Sequence, residues 1–76
     1  MSLKISIFGH LTEITGPSLE CSGIQDTEQL KHYLYRQFPN LQYKSFAIAV
    51  DKKVILSNTL LNDHSEIALL PPFSGG

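Results

Sequence analysis

Cysteine is almost missing from this sequence: Cys21 stands alone among 76 residues. No internal disulfide can form, and with no charged, apolar, small-residue leader the chain is expected to be cytoplasmic. A surplus of either charge is missing too. Six Lys and Arg against seven Asp and Glu leave a formal net charge of -1, so no chain-wide positive field exists to draw in nucleic acid. Long apolar runs are also lacking. The longest, Phe46-Ala-Ile-Ala-Val50, falls far short of the roughly 20 residues that cross a bilayer, and no membrane span is expected.

Ordinary catalytic equipment is equally sparse. Gly9, Gly16 and Gly23 are isolated and fit no G-x-x-x-x-G-K phosphate loop, so the chain is expected to bind no nucleotide by itself. His10, His32 and His64 fall in different elements and make no metal-ligand spacing with Cys21, which points to surface histidines rather than a zinc site. Glu13 and Glu66 have nothing local to shift a carboxyl pKa for acid–base work. Cys21 lacks the basic neighbour or helix N-terminus that makes a thiol nucleophilic, and an alternating strand points it inward. No catalytic residue, bound cofactor or metal is expected within the chain.

What is present is the composition of a small globular domain, 42% hydrophobic and 17% charged, without the signature of disorder. Leu3-Lys-Ile-Ser-Ile7 alternates, putting Leu3, Ile5 and Ile7 on one face of a strand. His10 to Thr15 sets Leu11 and Ile14 three apart, as one helical turn would, before Gly16-Pro17 stops it. Ser18 to Ser22 alternates again with Leu19 and Cys21 inward, which predicts a hairpin with the first strand. Asp26 and Gln29 have capping-box spacing, so a helix is expected from there, with Leu30, Tyr33, Leu34 and Phe38 as its apolar stripe and Pro39 as its stop. Ser45–Val50, Val54–Leu56 and Glu66–Leu70 read as three further strands, the first and last nearly continuous in apolar character, as central strands are. Asp51-Lys-Lys53 reads as a tight turn and Asn58 to Ser65 as a loop. The order β-β-α-β-β-β places one main helix across one face of a mixed sheet of about five strands, an α+β architecture matching the ubiquitin-like β-grasp fold. Residues 1–70 are expected to form that domain and residues 71–76 a flexible tail.

The tail breaks with everything before it. Pro71 and Pro72 have no N–H to give a sheet ladder, so the last strand must release the chain there, and consecutive prolines favour a stiff polyproline-like exit. Phe73 to Gly76 then reach roughly 13 Å, enough to carry a carboxylate into a partner's cleft. Phe73 is expected to be an anchor for that partner. Gly75 and Gly76 remove both Cβ atoms beside the carboxyl end, so a narrow tunnel can close on the backbone and a reagent can approach the carbonyl. A carboxylate is a poor acyl donor until adenylation makes it reactive toward thiols and persulfides.

These residues carry a resemblance. Ile67-Ala-Leu-Leu-Pro-Pro-Phe-Ser-Gly-Gly76 resembles the C-terminus of the small subunit of molybdopterin synthase, within the MoaD/ThiS-type ubiquitin-like sulfur carriers. Ile7 to Gly16 resembles that family's first strand and turn, Leu30 to Leu41 its helix and exit, and Ile48-Ala-Val-Asp51 its third strand. The resemblance implies that an E1-like adenylyltransferase activates Gly76 with ATP, that a sulfur donor converts it to a thiocarboxylate, and that the sulfur goes into the dithiolene of molybdopterin. It also implies a large catalytic subunit as partner, in a heterotetramer, with Gly75, Ser74, Phe73, Pro72 and Pro71 as the inserted tail. Two departures stand out. The family commonly has Gly-Asp-Glu where this chain has His64-Ser-Glu66, so His64 is expected to take any positive φ of that turn, and it often has Asn in place of Asp51. Other roles for the same chain are sulfur transfer in thiamine or cysteine pathways, protein conjugation, or a non-catalytic interaction module with an inert tail.

Overall fold

Alternation in the first segment is realised as β1, Leu3–Ile7, with Leu3, Ile5 and Ile7 buried and Lys4 and Ser6 exposed in a computed structural model that describes residues 3–71. It pairs antiparallel with β2, Ser18–Cys21, in the register Leu3 with Cys21 and Ile5 with Leu19, so inward residues oppose inward residues. The hairpin's long connection holds a 3-10 turn, Gly9–Leu11, and a single helical turn, α1, Thr12–Thr15. Leu11 is buried and Ile14 packs against the core, as their spacing predicts.

The main helix, α2, runs over Thr27–Gln37. Asp26 caps it by accepting the Gln29 N–H at 2.8 Å. Gln29 reaches back to accept the Gln25 N–H at 2.9 Å, one residue beyond the N-cap N–H that a capping box would use. Phe38 is the C-cap and Pro39 opens a second 3-10 turn, Pro39–Tyr43, that buries Leu41. Of the expected stripe, Leu30 and Leu34 are fully buried, whereas Tyr33 and Phe38 pack on its margin.

Three strands complete the sheet: β3, Ala47–Val50, β4, Lys53–Val54, and β5, Ile67–Leu70. The order is β2-β1-β5-β3-β4, with β5 parallel to β1 and antiparallel to β3. Leu30 and Leu34 of the helix join Ile5, Ile7, Ile48, Ile67 and Leu69 in one core on one face of this sheet. This is the ubiquitin-like β-grasp architecture, with β5 in the middle.

Two expectations need correcting. The fourth strand lies at Lys53–Val54, not Val54–Leu56, because the two-residue turn Asp51-Lys52 closes the hairpin early and pairs Val50 with Lys53. A last rung from the Ile55 N–H to the Ile48 carbonyl, 3.0 Å, ends the pairing, and Leu56 stands 98% exposed. His64 takes no positive φ. Among the described residues other than glycine, only Asp51 (52°) and Lys52 (71°) do. The turn before β5 is held by side chains instead: Asn62 Oδ1 accepts the His64 N–H at 2.8 Å, and Ser65 Oγ accepts the Asn62 N–H at 3.0 Å.

Candidate functional site: the open sheet face and the exit of the last strand

A strand alternates its side chains between two faces, and β5 uses both for apolar groups. Ile67 and Leu69 are buried under the helix, while Ala68 and Leu70 face the other way and are half-buried. Cross-strand register extends that second face. Ala68 lies opposite Ser6 of β1 and Ala49 of β3, Ala49 lies opposite Val54, and Leu70 lies opposite Ala47. Small side chains in these central rows keep the face flat. At its margins Phe8 is 50% and Val54 52% exposed, and Lys4, Lys52 and Glu66 border the shallow concavity around Ala68. An apolar centre with a charged rim is the anatomy of a protein-docking surface.

Because β5 lies between β1 and β3, the chain leaves the sheet at Pro71 from its central strand, one residue after Leu70 of that apolar face. Phe8 is tied to the same place: its N–H donates to the Leu69 carbonyl at 3.1 Å, one step beyond the Ile7–Leu69 pairing. Pro71 is half-buried, its ring against Gly9. The other residues assigned to the tail, Pro72, Phe73, Ser74, Gly75 and Gly76, lie outside the described residues.

The remaining polar candidates fall apart spatially. His10, His32 and His64 are all exposed, and His10 Nδ1 stands 3.5 Å from the Glu13 carboxylate on the surface. Glu66 is at the other end of the sheet face, its N–H donating to Asp51 Oδ1 at 2.9 Å. Among the described residues no group of three or more His, Cys, Asp and Glu is placed to hold a metal ion. Cys21 is buried, and burial pushes its thiol up from the ordinary value, the opposite of nucleophile activation. Among the same residues no helix is long and apolar enough to cross a membrane.

The open face was the feature sequence reasoning passed over. Its signal was available in Ala47, Ala49 and Ala68, apolar residues at the outward positions of β3 and β5. Continuous apolar character marks a central strand, and it equally marks a sheet with a second apolar face.

The ThiS family matches residues 5–76. Across the whole of both chains, the protein is 29% identical, with a TM-score of 0.75, to a chain in a protein–protein complex of subunits 1 and 2 of molybdopterin-converting factor from Helicobacter pylori. It is likewise 29% identical, with a TM-score of 0.79, to the small archaeal modifier protein 1 of Methanosarcina acetivorans, over 99% of this chain and 96% of that one. The same-named protein from Haloferax volcanii shares the fold at 19% identity, with a TM-score of 0.77 over both full chains.

Proposed function

This chain belongs to the ThiS family, and from that premise we propose that it is a sulfur carrier whose Gly76 carboxyl group is loaded by one partner and unloaded by another. The carboxylate oxygen attacks the α-phosphorus of ATP on an E1-like adenylyltransferase, and pyrophosphate leaves. A persulfide donor then attacks the acyl carbon, AMP leaves, and an acyl persulfide forms. A thiol takes the donor sulfur as a disulfide, releasing the thiocarboxylate on Gly76. Each step is easier than direct replacement of a carboxylate oxygen. The chain supplies the acyl group and the grip; nucleotide and catalytic groups belong to the partners.

The recipient we propose is the pterin precursor whose dithiolene becomes molybdopterin, within a large catalytic subunit that receives Pro71, Pro72, Phe73, Ser74, Gly75 and Gly76. The observation that carries this reading is the position of β5. A central strand ending beside an apolar, charge-rimmed face lets one partner hold the body of the domain while reaching the residues after Pro71. Full-length similarity to a chain from a two-subunit molybdopterin-converting factor supports the choice of recipient.

A second reading keeps the activated Gly76 and changes the acceptor to a protein amine, supported by the equal identity to the Methanosarcina modifier. Thiamine and cysteine pathways are further acceptors for the same thiocarboxylate. Reconstitution separates them: protein loaded with sulfur, mixed with the large synthase subunit and the cyclic pterin precursor, is expected to yield dithiolene. Lysine-linked conjugates without dithiolene would favour the modifier instead. Removing Gly75 and Gly76 is expected to abolish every transfer while leaving the melting temperature unchanged; retained function would leave only an interaction module with an inert tail.

A further inference from the structure

Gly9 combines a left-handed backbone conformation with a position in which a Cβ has no room. Its φ is +66°, and its carbonyl accepts both the Thr12 N–H and, at 2.9 Å, the Thr12 hydroxyl. On its other side Phe8 is extended, φ −124° and ψ 157°, with its N–H bonded to the Leu69 carbonyl of β5 at 3.1 Å. The turn is therefore tied at both ends and cannot easily rotate away. Against its Cα lies the Pro71 ring. A Cβ on Gly9 would stand 2.5 Å from Pro71 Cγ, 3.4 Å from Cδ and 3.7 Å from Cβ. The first distance is one that non-bonded carbon atoms do not adopt, and the ring, fixed to the backbone at both ends, can withdraw only by the small shift of a pucker change.

We propose that Gly9 is a positioning residue: its bare Cα is the seat of the Pro71 ring, and this seat sets the direction in which the chain leaves the sheet toward its activated end. Pro71 brings a locked φ of its own, so ring and seat together define the exit. The inference rests on the sulfur-carrier reading, and it adds to the function a residue far in sequence from the tail. Misplacing a reacting group by about 1 Å can cost up to about a hundredfold in rate. A displaced ring therefore acts on turnover, whereas the open face that binds the partner is untouched.

The test compares Gly9→Ala in two backgrounds, wild type and Pro71→Ala, by ATP–pyrophosphate exchange with an E1-like adenylyltransferase that activates carriers of this family. In the wild-type background Gly9→Ala is expected to lower kcat on the order of tenfold with KM for the carrier nearly unchanged. In the Pro71→Ala background, where the clashing Cγ and Cδ are gone, Gly9→Ala is expected to have no further effect on kcat. Backbone strain from Ala at positive φ is common to both backgrounds and cancels in the comparison. An equal loss in both, or no loss in either, overturns the proposal. Should Gly9→Ala unfold the wild-type background, the double variant is expected still to fold and to turn over like Pro71→Ala; a double variant that also unfolds overturns it. A wild-type chain that the enzyme does not adenylate overturns the carrier function itself and, with it, this role of Gly9.

Discussion

Lys52 sits at φ 71° and its neighbour Asp51 at φ 52°, a conformation that costs an ordinary residue about 1–2 kcal/mol. They tolerate it for different reasons. Asp51 exchanges its backbone with Glu66, N–H to carbonyl at 2.7 Å, and its Oδ1 accepts the Glu66 N–H at 2.9 Å. Lys52 makes no such bond, so Lys52→Gly is expected to stabilise the domain by up to about 1 kcal/mol, the relief of strain being partly offset by the freer unfolded chain. Asp51→Ala is expected to cost about 1 kcal/mol while Asp51→Asn is tolerated, because the amide oxygen can still accept. Urea midpoints of the three variants check both statements. Cys21 gives a pH-dependent prediction. Its thiol is pushed up by burial, so above the ordinary thiol pKa of roughly 8.5 the unfolded chain loses this proton first and binds fewer protons than the folded one. Cys21 is therefore expected to lower stability as pH rises through that range, and Cys21→Ala to flatten the urea midpoint against pH there. The folded protein is also expected to react with thiol reagents far more slowly than the unfolded chain.

At the scale of elements, the start of α2 depends on a loop distant in sequence. Thr27 is buried, donates its hydroxyl to Asn58 Oδ1 at 3.2 Å and accepts the Thr59 N–H at 2.9 Å. The same Asn58 oxygen accepts the Glu28 N–H at 3.0 Å, satisfying a first-turn donor that the helix itself cannot. Thr27→Val keeps the shape but strands the Thr59 N–H, and is expected to cost about 1–3 kcal/mol in denaturant unfolding. Nothing in the local pattern announces Thr27 as core, because its partners lie more than thirty positions away. By contrast Asp26, Leu30, Leu34 and Pro39 were legible, since capping, stripe and stop are local in sequence. The strands follow the same division. β1 and β2 were readable from period-two alternation, whereas β4 moved because turn closure at Asp51-Lys52, not apolar content, decides where pairing begins. Leu56, counted as strand for its hydrophobicity, projects into solvent.

On the scale of the whole molecule, sheet topology does what no segment does alone. Parallel pairing with β1 and antiparallel pairing with β3 put β5 in the centre, and among the described residues one apolar face has no layer upon it. Phe8, 50% exposed at the margin nearest the exit, is a large aromatic group on that face. If the proposed partner docks on this face, Phe8→Glu weakens its binding on the order of tenfold or more, with the melting temperature little changed, and calorimetric titration with a large synthase subunit measures it. The chemistry proposed for Pro71 to Gly76 rests on composition alone, whereas the apolar sheet face and the contact of Pro71 with Gly9 arise only when residues from both ends of the chain meet. The most direct measurement is the intact mass of the protein after incubation with an E1-like adenylyltransferase, ATP and a persulfide donor, followed by fragmentation. The expected result is one oxygen-for-sulfur exchange confined to the fragment carrying Gly76 and absent without ATP. An unchanged mass, with an enzyme that converts another carrier of the family in the same mixture, would contradict it.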